Sequence, residues 1–306
     1  MCIRDRSSSG ACASSTRGVI FSGNSPSLQV NTIQILTIST TGNAQDFADL
    51  PSIHSGGSAA GNATRALYMG GSAVSPAGDV NTIEFFTIAT TGNAQDFGDL
   101  TQSAGFRTGL SNQIRSVQGG SEAPGVTDVI DSNVFASLGN ATDFGNLVSA
   151  ASSLGAFASP TRGVFAGGSP ASNVLQYITI ASAGNTTDFG DQSVSRERVG
   201  GGSNSLRGVY GGGAANPSSN SNVIDFITIA TTGNATDFGD LTAAKLSPGG
   251  ASNGHGGLDY TGFALQRPSV NYMPGSGRGI AMGGYCLLYT SPSPRDQRGS
   301  RMPSSA

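Results

Sequence analysis

Apolar side chains along this chain come in short bursts, each fenced by glycine, serine, asparagine or proline. Asn222-Val-Ile-Asp-Phe-Ile-Thr-Ile-Ala230 is one such burst, preceded by a Ser/Asn/Pro stretch over 214–221 and followed by Thr232-Gly233-Asn234. Its β-branched and aromatic content predicts a strand. Gly and Asn both tolerate positive φ, so the following segment predicts a tight hairpin turn. Arg207-Gly-Val-Tyr210, ending at Gly211-Gly212-Gly213, predicts a strand before it, and Ala235 to Leu241 one after it. Ala243 to Ser252 is expected to supply a fourth strand leading into the next unit. The alternation inside the bursts is informative. Ile83 and Phe85 point to one side while Phe86 and Ile88 point to the other, and Leu175 and Tyr177 oppose Ile178 and Ile180 in the same way. Both faces of each small sheet are therefore apolar, and both must be covered.

The bursts repeat. The phrase Gly-Asn-(Ala/Thr)-x-Asp-Phe occurs five times, and its phenylalanines Phe47, Phe97, Phe144, Phe189 and Phe238 are spaced 45 to 50 residues apart. A second phrase, Thr-Arg-Gly-Val-Phe-Ala-Gly-Gly at 161–168, has relatives at 16–23, 64–71, 206–213 and 277–284. The third copy, Ile114 to Gly120, is degraded, with Arg115 one residue out of register. Such a period means a solenoid or propeller. Four-stranded sheets stacked face to face around an axis bury both faces, so the prediction is an all-β propeller. Five four-stranded blades are expected at about 8–50, 51–100, 101–147, 148–191 and 192–241, with 242–257 as a further strand and 258–285 as a linker and the start of a partial further repeat. The glycine pairs fit either inner strands crowded near the axis or turns that need positive φ.

Composition narrows the chemistry. The chain has 306 residues, of which 46 are Gly; charged residues are 11%, and Lys245 is the single lysine. A helical bundle is excluded, because the strong helix formers are missing. A net charge of −3 with no basic run disfavours nucleic acid. No apolar stretch approaches the roughly 20 residues of a membrane helix, so no membrane insertion is expected. The two ends read differently. Cys286-Leu-Leu-Tyr-Thr-Ser291 and Met1-Cys-Ile-Arg-Asp5 correspond to one DNA word read on opposite strands. Residues 1–6 and 286–306 therefore resemble translated sequencing adapters and are set aside from fold reasoning.

A strand ending in Gly-Gly, an aromatic-bearing strand, then a final strand with a large aromatic, at a period near 50, resembles the kelch repeat of β-propellers. The resemblance covers about residues 12–285 and departs in that the last aromatic is always Phe, never Trp. The wording of the repeats is similar to kelch-like repeats in proteins of environmental phages, commonly encoded near virion and tail genes. That resemblance implies a virion or extracellular location, a structural or receptor-binding role in a virion or tail fibre, and a host-surface glycan or protein and other virion proteins as partners. A secreted bacterial adhesin or carbohydrate-associated kelch propeller is the alternative.

Candidate residues follow from the repeat. No enzyme activity, cofactor or metal is expected. His54 and His255 fall in different units, and the copper-oxidase chemistry of some kelch propellers needs clustered His and Tyr and a Cys–Tyr pair. Cys12 aligns with Phe157 and reads as a small core residue. The first Asp of each hairpin phrase (Asp46, Asp96, Asp143, Asp188, Asp237) is expected to cap its own turn. The second (Asp49, Asp99, Asp191, Asp240) is expected to meet an arginine of Arg17, Arg65, Arg162, Arg207 and Arg278. Calcium at the Asp pairs and an arginine ring holding an anion are the sharper alternatives. Asn62, Asn140, Asn185 and Asn234 match glycosylation sequons, which turn chemistry explains in three of the four. The segments after the glycine pairs (Asn24–Gln29, Ser72–Asp79, Ser121–Thr127, Ser169–Ser172, Ala214–Ser221) vary in length and content, which suits binding loops on a fixed frame. Ser25, Ser75, Glu122, Ser169, Asn216 and Asn220 are their candidate contact residues.

Overall fold

A computed structural model describes residues 7–25, 28–74, 77–122, 125–216, 219–258 and 279–282. It is all-β: among these residues the helical content is one 3-10 turn, His255–Gly257. Five four-stranded antiparallel sheets follow one another along the chain. Sheet one is Gly10–Ala13, Arg17–Phe21, Thr32–Thr37 and Gln45–Asp49. Sheet two is Ser58–Gly61, Arg65–Met69, Thr82–Thr87 and Gln95–Asp99. Sheet three is Thr108–Ser111, Arg115–Ser121, Thr127–Val134 and Thr142–Asn146. Sheet four is Gly155–Ala158, Arg162–Ala166, Ser172–Thr179 and Thr187–Arg196. Sheet five is Gly200–Ser203, Arg207–Gly211, Val223–Thr228 and Thr236–Asp240. In each sheet the strands lie side by side in chain order.

One expectation is corrected here. Ala243 to Ser252 does not complete sheet five, whose remaining strand is Gly200–Ser203, ahead of the arginine phrase. Gly249–Ser252 instead pairs with Gly279–Met282 and begins a further sheet. Arg278 and Ser75 lie outside the described residues.

The alternating bursts cover both faces of their sheets, as their spacing requires. Ile83 and Phe85 join a core with Leu67, Phe97 and Phe135, whereas Phe86 and Ile88 join a separate one with Phe21, Ile35 and Tyr68. Leu175 and Tyr177 likewise face Phe189 and Tyr210, while Ile178 and Ile180 face Leu110 and Phe144. Each fully buried Leu, Ile or Phe contributes about 1.5–3 kcal/mol. The sheets are thus held by their seams as much as by their own ladders.

Two local devices shape every unit. Between third and fourth strands the register slips at the phenylalanine of Asp-Phe, as in the pairing of Ile83 with Gly98 and Glu84 with Asp96. Such a bulge re-aims the side chain of the extra residue. The first strands are built of small residues and crowd together. Gly10–Ala13 lies beside Ser58–Gly61, which lies beside Thr108–Ser111, then Gly155–Ala158, Gly200–Ser203 and Gly249–Ser252, and this last lies beside Gly10–Ala13. Serines stitch neighbours: the Ser111 hydroxyl donates to the Gly61 carbonyl at 2.7 Å, and the Ser203 hydroxyl accepts from the Ala158 N–H at 3.1 Å. The glycine pairs serve the other purpose considered. Gly70, Gly167 and Gly212 have φ between 63° and 72°, at the turn that ends each second strand.

Candidate functional site

The seams account for most of the repeated polar residues. From sheet two onward, the hairpin asparagine accepts, through Oδ1, the backbone N–H of the residue two past the phenylalanine in the preceding sheet. Asn93 takes Asp49 at 3.2 Å, and Asn140, Asn185 and Asn234 take Asp99, Asn146 and Asp191 at 3.0 Å. Backbone bonds run beside them: Ala94, Ala141, Thr186 and Ala235 donate to the carbonyls of the same four residues. Gly139, Gly184 and Gly233 add a bond to the carbonyls of Phe97, Phe144 and Phe189. The sequons Asn140, Asn185 and Asn234 are therefore inter-sheet latches. Asn62 caps its own turn, accepting from Thr64 and Arg65 and donating to the Gln113 carbonyl.

The arginines latch seams too, with partners other than the expected carboxylates. The Arg17 guanidinium donates to the Ile88 carbonyl at 2.5 Å, Arg65 to Phe135, Arg115 to Ile180 at 2.9 Å, and Arg162 to Ile229 and Ala230 at 2.9 Å. Each acceptor sits in the next sheet along the chain. Arg17, Arg65, Arg115, Arg162 and Arg207 also lie over the rings of Phe47, Phe85, Phe144, Tyr177 and Phe226, at 4.3 to 5.9 Å from the centroids. Among the described residues none of these arginines pairs with an aspartate, and the ion pairs found there involve other residues. A carbonyl end and a ring face offer a guanidinium both hydrogen bonds and π stacking without burying a carboxylate. Arg115 is in register after all. The positive-φ position five residues on is Gly120, so the third pair is Gly120–Ser121 rather than Gly119–Gly120. Of the first aspartates, Asp96, Asp143 and Asp237 accept the N–H of the glycine two residues on, at 2.9 to 3.2 Å, which closes the bulge. Asp46, Asp96, Asp143, Asp188 and Asp237 all lie exposed on the outer strands. The bulge phenylalanines Phe97, Phe144 and Phe189 are buried, Phe47 is partly buried, and Phe238 is 60% exposed.

Among the described residues, two buried ion pairs and one buried contact between a histidine and a carboxylate lay hidden in the sequence. His54 contacts Glu84 at 3.0 Å, Arg107 contacts Asp131, and Arg196 contacts Asp225 at 2.5 Å. His54, Arg107 and Arg196 also contact the carbonyls of the positive-φ glycines Gly70, Gly120 and Gly212, respectively. The carboxylates occupy one repeat position, the polar residue inside the apolar third strand, filled by Gln34 in sheet one and Gln176 in sheet four. A polar residue recurring in the middle of a buried burst was the available signal. In sheet four Gln176 accepts the Val148 N–H at 2.8 Å and the Thr186 hydroxyl at 2.7 Å, and Leu154 stands at the place of Arg107.

Two surfaces remain. Where the first strands converge, Ala, Gly and Ser residues with Cys12 and His255 line a cavity of about 60 Å³. His255 fixes the segment beside it, one ring nitrogen 2.7 Å from the Ser252 carbonyl and the other 2.9 Å from the Gly61 carbonyl. Burial pushes the Cys12 thiol pKa well above its ordinary value. The second surface is the rim where second strands turn into third strands. There Ala73 pairs with His54 and with Gly78; Asn24 bridges Ser7 and Gln29; Ser169 bridges Ser152; and Ala214 bridges Glu197 and pairs with Asn220. Glu122 donates its N–H to the Gly105 carbonyl. Every loop is pinned at its base to the segment that enters its own sheet. Ser25 closes its loop through the Leu28 carbonyl. Glu122 is exposed, Ser169 and Asn220 are half-buried, and Asn216 lies in the short strand Ala214–Asn216. The rim is less polar than its sequence suggested: Leu28, Ile53, Val74, Val126 and Val148 are all exposed at this end.

No protein-family model matches the chain, and no curated protein matches its sequence.

Proposed function

We propose that the sheets close into a kelch-like β-propeller, with Gly249–Ser252 seated between sheets five and one, and that the molecule is a non-enzymatic binding module. Its surface is the rim of pinned, dissimilar loops, and its setting is a phage virion or tail fibre meeting a host-surface glycan or protein. The observation that carries the reading is the contrast at that rim: a frame repeated five times, and five loops that share an anchoring scheme but no sequence. Rigid scaffolds with variable loops are how recognition surfaces are commonly built. Exposed Val74 and Val126 on adjacent sheets add apolar area of the kind binding sites use. The histidines favour a structural reading, since both ring nitrogens of His54 and of His255 are engaged by neighbouring groups. Ring closure is supported by the contact of the last first-strand with the earliest one. Two measurements test the proposal. X-ray scattering on residues 7–285 is expected to give a radius of gyration of about 19 Å, and an open, elongated stack would give a larger one. Binding to bacterial cells and glycan arrays is expected to fall in a Val74→Asp, Val126→Asp variant with unchanged melting temperature. Failure to bind any cell or glycan, or binding indifferent to the rim, sinks the receptor reading.

A further inference from the structure

The fourth strand of sheets one to four never ends as a free edge. Each is covered by the hairpin of the next unit through one asparagine side chain and one or two backbone bonds, while a carbonyl of that unit's third strand or its end receives the arginine. Sheet five has the same groups and no such cover among the described residues. Phe238 is 60% exposed where Phe97, Phe144 and Phe189 are each 3%. A methyl group on Gly98 would come within 2.5 Å of Gly139 in the next hairpin, whereas the space beside Gly239 is open. Arg207 lies over Phe226, and among the described residues it reaches no carbonyl of a following unit. On the far side, Asn43 of sheet one is exposed and caps nothing among the described residues. Between these walls, Gly279–Met282 pairs with Gly249–Ser252 and with no other strand among the described residues.

We propose that this slot is a docking site for one β-hairpin: a further copy of the repeat's own third and fourth strands, carrying Gly-Asn-(Ala/Thr)-x-Asp-Phe at its turn. The four covered seams define its chemistry. Its asparagine Oδ1 accepts from the Asp240 N–H, its turn glycine donates to the Phe238 carbonyl, and a carbonyl at the end of its third strand receives Arg207. Its own fourth strand then offers an N–H to Asn43. The inference rests on the seams between sheets and holds whether or not the rim binds a receptor.

The test uses the full chain with a peptide copying residues 222–241 and bearing one tryptophan at its N-terminus. The chain has no Trp, so emission reports the peptide alone. Saturable binding, a raised melting temperature and slowed exchange of the Asp240 amide are expected. The peptide's Asn234→Ala form is expected to bind about fivefold more weakly, the loss of one net hydrogen bond. A second arm inserts a copy of residues 214–241 after Gly284 and reads the same amide. Binding no better than a scrambled peptide, together with an Asp240 amide unprotected in the inserted chain, overturns the proposal. So does equal binding of the Asn234→Ala peptide.

Discussion

A charge inside a sheet has to meet its opposite or be replaced, and the third strands use both solutions. Sheets three and five carry Asp131 and Asp225 against a buried arginine, and sheet two carries Glu84 against His54; sheet four carries the neutral Gln176, with Leu154 at the place of Arg107. Removing one member of a buried pair strands the other at a cost of about 3–5 kcal/mol, while replacing both is far milder. Arg107→Leu and Asp131→Gln should therefore each destabilise strongly, and the double variant, which rebuilds the sheet-four solution, should lose less than either. Urea unfolding of the three variants measures this, and simple additivity would refute the pairing argument. Tyr68 carries a second residue-level consequence. Burial pushes its phenol pKa up to about 12, against the Gly57 N–H and Ser22 hydroxyl, which favour the phenolate, and with some help from Glu84. The unfolded phenol releases its proton near pH 10 and the folded one near 12, so this stabilisation is whole below pH 10 and lost as pH rises to 12. The loss totals about 3 kcal/mol. Denaturation midpoints across that window should show the slope, and Tyr68→Phe should flatten it. Residues like these were the least legible in the sequence. Arg107 and Asp131 stand far apart in different local contexts, and only the sheet's register brings them together.

At the scale of strands and turns the sequence was far more readable. Alternation in Ile83–Ile88 named both faces correctly, because a strand has a period of two and nothing else in the segment competes with it. The hairpin Gly-Asn was recognised as a turn, but its second task was not. A side chain that caps the neighbouring sheet looks, locally, like ordinary turn chemistry. The distinction is measurable. Asn185→Ala should cost about 1 kcal/mol through the lost bond to Asn146. Asn43→Ala, at the same place in the repeat but with no sheet to cap among the described residues, should cost close to nothing. Equal losses in thermal melts would return both residues to a local role. The arginine phrase was misassigned for the same reason: stoichiometry suggested aspartate as partner, while geometry supplies backbone carbonyls one sheet away.

For the whole molecule, repetition means that each sheet touches chiefly its neighbours, and the small first strands are where the units meet. Cys12 sits among those strands and is buried, so its thiol can be reached only when several units separate. In a variant with Cys2 and Cys286 changed to Ser, thiol labelling should follow global unfolding across a urea series. Rapid labelling of the native protein would mean that the centre opens by itself. The period and the strand count were visible from the repeated phrases, whereas the mutual placement of Gly10–Ala13 and Gly249–Ser252 depends on accumulated twist, which no single phrase encodes.

Ala48 stands where later units have Gly98, Gly145, Gly190 and Gly239. A methyl at Gly98, Gly145 or Gly190 would meet the next turn's glycine, and at the first seam, where Ala48 carries one, the Gly92 to Phe47 backbone bond is missing while Ala94 to Asp49 survives. The first seam is consequently the one sewn with fewer stitches. Under pulling or mild heat the molecule should unzip there, shedding its leading forty residues or so as a unit. Amides of Gln45–Asp49 exchanging before those of Thr142–Asn146 would reveal that preferred point of rupture.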